Sequence, residues 1–253
     1  MKPCFDLEGQ VALVTGGSSG LGRSMALALA ASGAAVVVAA RRRDALDDTV
    51  VQIERQGGRA AALVADLADA TSLEAVARQS AEPFGAVSIL ANAAGVNLRQ
   101  PIDDVDLASW NLTLQLHLGT PFFLARALVP GMRERGYGRI INLASLQSQR
   151  AFADSAPYGA GKGGIVQLTR AMAEAWSRDG INANAIAPGF FPTELTASLF
   201  DDPVKTQELA ARTAIGRNGT AEDIAGPTVF LAAPASAYVT GQTLFVDGGF
   251  TAR

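Results

Sequence analysis

Short apolar runs alternate along this chain with longer amphipathic stretches. The runs cover residues 11–15, 35–39, 60–64, 89–92, 139–143, 182–186 and 243–246. A continuous apolar run of about five residues has no polar face to offer solvent, so it reads as a strand covered on both sides, as in a parallel sheet. Helical periodicity occupies 21–31, 44–56, 71–84, 107–135, 158–178 and 221–231. Strands and helices alternating at this spacing predict right-handed crossovers and an α/β fold. We expect one doubly wound domain over residues 1–253, with a seven-stranded parallel sheet flanked by helices.

One segment breaks the rhythm. Residues 190–219 mix Pro192, Pro203 and Asp201-Asp202 with apolar Phe and Leu side chains, between the last two strands. Two readings fit: a substrate lid, or a surface loop with two short helices.

Composition narrows the class. The chain is 49% hydrophobic and 18% charged, so it can bury a sizeable core and is not disordered. A net charge of −3 argues against nucleic acid as a partner. Cys4 is the lone cysteine, which excludes an internal disulfide and suits a cytoplasmic location. The N-terminal eight residues are too acidic for a signal peptide. The apolar stretch from Met25 to Ala40 is broken by Ser32-Gly33 and too short to span a membrane. One histidine and one cysteine make a metal site unexpected.

The first strand runs into Thr15-Gly16-Gly17-Ser18-Ser19-Gly20-Leu21-Gly22, and a helix follows. Gly16, Gly20 and Gly22 allow a tight turn that brings backbone N–H groups close to a pyrophosphate at a helix N-terminus. Ser18 and Ser19 add hydroxyls. The second strand ends Ala39-Ala40-Arg41-Arg42-Arg43, with no carboxylate placed for a ribose 2′-hydroxyl. Arg41 instead favours a 2′-phosphate, hence NADP(H) preferred and NAD(H) possible. Arg42 and Arg43 fit a solvated turn.

Ser145 closes the fifth strand, and Pro157-Tyr158 opens the next helix, with Lys162 four residues on. That spacing puts Tyr158 and Lys162 on one helix face. A phenol titrates at about 10, so working as a phenolate near neutrality requires ~4 kcal/mol of differential stabilisation, which a nearby ammonium helps to supply. Tyr158 then exchanges a proton with an alcohol or carbonyl oxygen. Ser145 donates a hydrogen bond to the same oxygen.

With these motifs assembled, the sequence resembles the short-chain dehydrogenase/reductase family over essentially its full length. The matching stretches are Thr15 to Gly22, Asp66-Leu67, Asn92-Ala93-Ala94-Gly95, Ser145 with Tyr158 and Lys162, Pro188-Gly189 through Thr193, and Thr240-Gly241 through Gly249. The resemblance implies a Rossmann-type fold and a homotetramer packed through the long helices and the C-terminal strand region. It places Asp66 and Leu67 at the adenine, Asn92, Ala93, Ala94 and Gly95 along the cofactor, and Lys162 on its ribose. Pro188, Gly189, Phe191 and Thr193 would stand at its nicotinamide end.

Two positions depart from the family pattern. Ala93 replaces an asparagine. His117 stands where the family has an asparagine that holds a water connecting the lysine to solvent. Three readings of His117 stand: a retained proton relay, a passive helix residue, or an altered catalyst.

Within the family, the segments around Ser145, Pro188 and Arg217 resemble gluconate 5-dehydrogenases and related sugar-acid oxidoreductases. Gln147, Arg150, Asn97 and Arg99 could bind such a polar, anionic alcohol or ketone. Phe190, Phe191, Leu195, Leu199 and Phe200 point instead toward a hydrophobic ketone, as in a 3-oxoacyl-thioester reductase. A catalytically weak, cofactor-binding scaffold subunit is the alternative of another class.

Overall fold

The strands β1 (Val11–Thr15), β2 (Ala35–Ala40), β3 (Arg59–Val64), β4 (Ile89–Asn92), β5 (Gly138–Leu143), β6 (Ile181–Pro188) and β7 (Thr243–Val246) form one sheet. Their order is β3-β2-β1-β4-β5-β6-β7, and every pairing is parallel. This is a computed structural model, and it describes residues 4–253. The first three residues of the N-terminal stretch read against a signal peptide lie outside the described residues.

Nine α-helices accompany the strands among the described residues. They are α1 (Gly20–Ala31), α2 (Arg43–Arg55), α3 (Leu73–Ser80), α4 (Leu107–Leu114), α5 (Thr120–Arg135), α6 (Ala156–Trp176), α7 (Ala197–Phe200), α8 (Pro203–Ala211) and α9 (Ala221–Ala232). Side chains alternate between the two faces of each strand. Ala12, Val14, Val36, Val38 and Ile141 pack with Met25 and Leu29 of α1, Leu46 and Ile53 of α2, and Ile224 and Leu231 of α9. Val11, Leu13, Val37, Leu90 and Ile140 pack with Leu73 and Val76 of α3, Leu124, Leu128 and Met132 of α5, and Met172 of α6. Each large aliphatic side chain buried this way contributes about 1.5–3 kcal/mol. Burial on both faces is why the strand runs carry no polar alternation.

Two predicted helices come out differently. The stretch 71–84 shortens to a 3₁₀ turn, Ala70–Ser72, followed by α3. The stretch 107–135 is interrupted by a π-helical turn, Gln115–Gly119, between α4 and α5. By length and composition, Leu107–Arg135 is long and apolar enough to cross a membrane. Its buried residues, Leu124, Leu128 and Met132 among them, pack on the sheet instead, which accounts for the apolarity.

β1 has β2 on one side and β4 on the other, so the crossovers diverge at this point. The C-terminal ends of these strands open a crevice there, the expected ligand position in an open α/β sheet. The 190–219 segment follows β6 as the 3₁₀ turn Glu194–Thr196, then α7 and α8, and its residues between Phe190 and Leu199 supply part of the crevice lining. Asp202 caps α8, its Oδ1 accepting from the Val204 N–H at 2.9 Å. The Phe191 ring seats against Gly219, where a side chain would overlap it.

Candidate active site

The turn after β1 is built for close backbone approach. Gly16 has φ +67°, and a Cβ there would stand 2.9 Å from the Ala94 backbone. A Cβ on Gly22 would strike the Gly16 carbonyl. α1 therefore starts against the turn, with no acidic residue in its first turn and no side-chain cap from Ser19. Its first N–H groups and positive dipole end are left for an anion, so the residues present fit a dinucleotide's pyrophosphate. Thr15 Oγ1 accepts from the Ala93 and Ala94 N–H groups at 3.0 and 3.2 Å. This bond fastens the turn after β4 in which alanine replaces the family's asparagine.

A cleft of about 790 Å³ runs from this turn across the strand ends. Gly16, Ser18, Ser19, Gly20, Leu21 and Gly22 line it, as do Arg41, Asp66, Leu67, Ala93, Ala94 and Gly95. Ser145, Tyr158, Lys162, His117, Pro188, Gly189, Phe191 and Thr193 line it too. Asn92 does not. Its amide turns into the sheet and donates to Asn142 Oδ1 at 2.8 Å, while Asn142 Nδ2 donates to the Thr169 hydroxyl. The expected cofactor contact from that side chain is corrected accordingly.

Pro157 sits in the first turn of α6, where a missing N–H does no harm. The helix carries Tyr158 to the cleft and Lys162 beneath it. The Lys162 ammonium is buried, donates to the Leu143 carbonyl at 2.5 Å, and lies 5.5 Å from the centre of the Tyr158 ring. Burial lowers its pKa to about 7. Burial also raises the Tyr158 phenol above its ordinary value, against the opposing pull of the Ser145 hydroxyl and the Arg99 charge. This corrects the expectation of a phenol acidified by lysine: in the protein alone, burial outweighs the pulls that oppose it. The Ser145 hydroxyl accepts from the Gln147 N–H at 3.2 Å, which leaves its own proton free to donate.

His117 lies within the π-helical turn, buried, its ring edge-on to Tyr158 at 5.1 Å between centres. Nε2 lies 2.8 Å from the Val96 carbonyl and 3.3 Å from the Val96 nitrogen, and the shorter contact assigns the proton to Nε2. Nδ1 is buried and unpartnered. Burial, and then the Lys162 charge, lower its pKa to about 3, so the ring is neutral.

Of the proposed substrate residues, Asn97, Arg99 and Gln147 line the cleft. Arg150 does not. Its guanidinium donates to the Arg253 carbonyl at 3.2 Å on the surface, so it is removed from the site.

The chain matches the family model described as Enoyl-(Acyl carrier protein) reductase over residues 16–251. It belongs to the short-chain dehydrogenase/reductase family. The gluconate 5-dehydrogenase of Gluconobacter oxydans is 38% identical over 247 residues, covering 98% of this chain and 96% of that protein. The galactitol 2-dehydrogenase (L-tagatose-forming) of Cereibacter sphaeroides is 39% identical, covering 99% of this chain and 98% of that protein. The crystal structure of a gluconate 5-dehydrogenase from Burkholderia cenocepacia, in complex with NADP and tartrate, superposes with a TM-score of 0.93 at 39% identity, covering 99% of this chain and 98% of that one.

Within this short-chain dehydrogenase/reductase, two cleft residues escaped sequence reasoning. Arg42 fits a solvated turn in the sequence, and nothing in the sequence marks Glu194. Arg42 Nη2 lies 2.7 Å from Glu194 Oε2, and both residues line the cleft. No local pattern signals a pair so far apart in sequence. Arg43 does keep to the surface, paired with Asp47 one helical turn on.

Proposed function

We propose that this protein is an NADP(H)-dependent oxidoreductase that interconverts a secondary alcohol and a ketone on a sugar acid or polyol. The observation that carries this reading is the convergence of a phenol, a serine hydroxyl and a buried lysine on the cleft that begins at the glycine turn. When bound, the dinucleotide supplies the hydride donor or acceptor. In reduction, the Tyr158 phenol gives its proton to the carbonyl oxygen, and its raised pKa keeps that proton in place at neutral pH. In oxidation the phenol first loses that proton to solvent, and the resulting phenolate takes the alcohol proton. Ser145 donates to the same oxygen and orients it. Lys162 holds the ribose with the donors that Leu143 does not use.

Arg99 supports an anionic substrate. It lines the cleft, its charge reaches Tyr158, and it forms no ion pair among the described residues. The unpartnered buried Oδ1 of Asn97 and Nδ1 of His117 are acceptors suited to substrate hydroxyls or bound water. Leu195 and Leu199 also line the cleft and favour the second reading, an acyl-chain ketone. They belong to residues 190–219, which we read as the lid of one domain spanning 1–253. Exposed Leu107 and Trp110 on α4 and Leu244 on β7 support a homotetramer packed through those elements. A single free Cys4 supports a cytoplasmic location.

The test follows NADPH consumption with 5-keto sugar acids, ketoses and a 3-oxoacyl thioester. Turnover on the keto acids bears the reading out, and turnover confined to the thioester replaces it with the acyl reductase. Tight NADPH binding without turnover on any of them leaves the scaffold subunit.

A further inference from the structure

The Arg42–Glu194 contact includes a third group. Glu194 Oε2 accepts from the Ser19 hydroxyl at 3.0 Å and from Arg42 Nη2 at 2.7 Å, while Arg42 Nη2 also reaches Ser19 Oγ at 3.2 Å. Ser19 belongs to the glycine turn, Arg42 follows β2, and Glu194 begins the short turn after β6. A carboxylate thus occupies a socket made by a serine hydroxyl and a guanidinium, beside Arg41. Such a pair of donors also suits one face of a phosphate. Arg41 stands in the same stretch with no ion pair among the described residues.

We propose that Glu194 is an internal stand-in for the cofactor's 2′-phosphate, competing with it for Ser19 and Arg42 and so setting the margin by which NADP(H) is chosen over NAD(H). The inference rests on the cofactor reading given above. A phosphate monoester carries about −1.5 to −2 charges at neutral pH, against one on the carboxylate, so it displaces Glu194 and gains both donors. NAD(H) has a 2′-hydroxyl there and leaves the Glu194 pair intact. Arg41 is free to meet the phosphate from the start, whereas Arg42 must first be released. Glu194 is therefore a positioning residue acting through Arg42.

The test is fluorescence titration of NADPH and NADH into wild type, Glu194→Gln, Arg42→Gln and the double variant, at one ionic strength. Both side chains are more than half exposed, so the fold tolerates these changes. Exposed pairs are worth about 0.2–1 kcal/mol, so Glu194→Gln should tighten NADPH by about 1.4- to fivefold and leave NADH unchanged. In the Arg42→Gln background the same change should tighten NADPH less than it does in wild type, because only the competition for Ser19 is left. Weaker NADPH binding in Glu194→Gln would mean that the contact clasps the bound cofactor, and would overturn the proposal. Unchanged NADPH affinity, or equal tightening of NADH, would overturn it as well. Failure of wild type to bind either dinucleotide would instead remove the cofactor reading itself.

Discussion

Replacing His117 by asparagine should make the protein more resistant to acid. The imidazole is 3% exposed and its pKa falls from 6.5 to about 3, chiefly through burial and then through the Lys162 charge. Between those values the unfolded chain binds a proton at this residue and the folded chain does not. Stability therefore falls as pH drops through the window, and the loss is complete only below about 3. Each pH unit inside the window is worth ~1.4 kcal/mol, so the cost at pH 4 is about 3 kcal/mol. Asparagine has no proton to bind, and other titrating groups contribute equally to both proteins. Urea unfolding of wild type and His117→Asn at pH 7 and pH 4, without dinucleotide, isolates the difference. The wild type should lose about 3 kcal/mol more than the variant. Parallel losses would show that the ring takes up its proton freely in the folded state, and the neutral, buried assignment would fail. The same pair tests the relay: a pH–rate profile unchanged by the substitution would leave His117 with a packing role alone.

Two other substitutions probe the chemistry. Tyr158→Phe removes the proton donor and should lower kcat by roughly 10³-fold while NADPH affinity stays within about threefold, because the ring and Lys162 remain. Turnover close to wild type would dismiss the phenol. Arg41→Asp should reverse the cofactor preference toward NAD(H), measured as the ratio of kcat/KM for the two dinucleotides; an unchanged ratio would dismiss the 2′-phosphate contact.

The sheet was legible because its strands are sandwiched. Val36, Val37 and Val38 are buried on alternating faces, so the run itself reports two covering layers. Tyr158 and Lys162 were legible for a similar reason, since helical spacing alone places them together. The π-helical turn was not. Its histidine is seated against glycines distant in sequence: a Cβ on Gly161 would lie 3.0 Å from the His117 Cβ, and one on Gly95 would strike the imidazole Cε1. Those two glycines clear the space that the ring fills, and only the folded packing shows it. Arg150 misled because proximity to a strand end does not fix where a long side chain goes. The direction of the Tyr158 pKa was likewise set by desolvation, which spacing cannot report.

The hydroxyl of Thr15 ties the tail of β1 to the bend after β4. Two walls of the crevice are thereby one stiff part, moulded from the sheet itself. The excursion after β6 is anchored there by polar contacts at the surface, through Glu194. The proposed proton chemistry thus resides in the frame, while the excursion, the lid we propose, is a replaceable cover that reaches the cleft through Leu195 and Leu199. Exchanging that cover should retune what the enzyme accepts without disturbing the phenol beneath it.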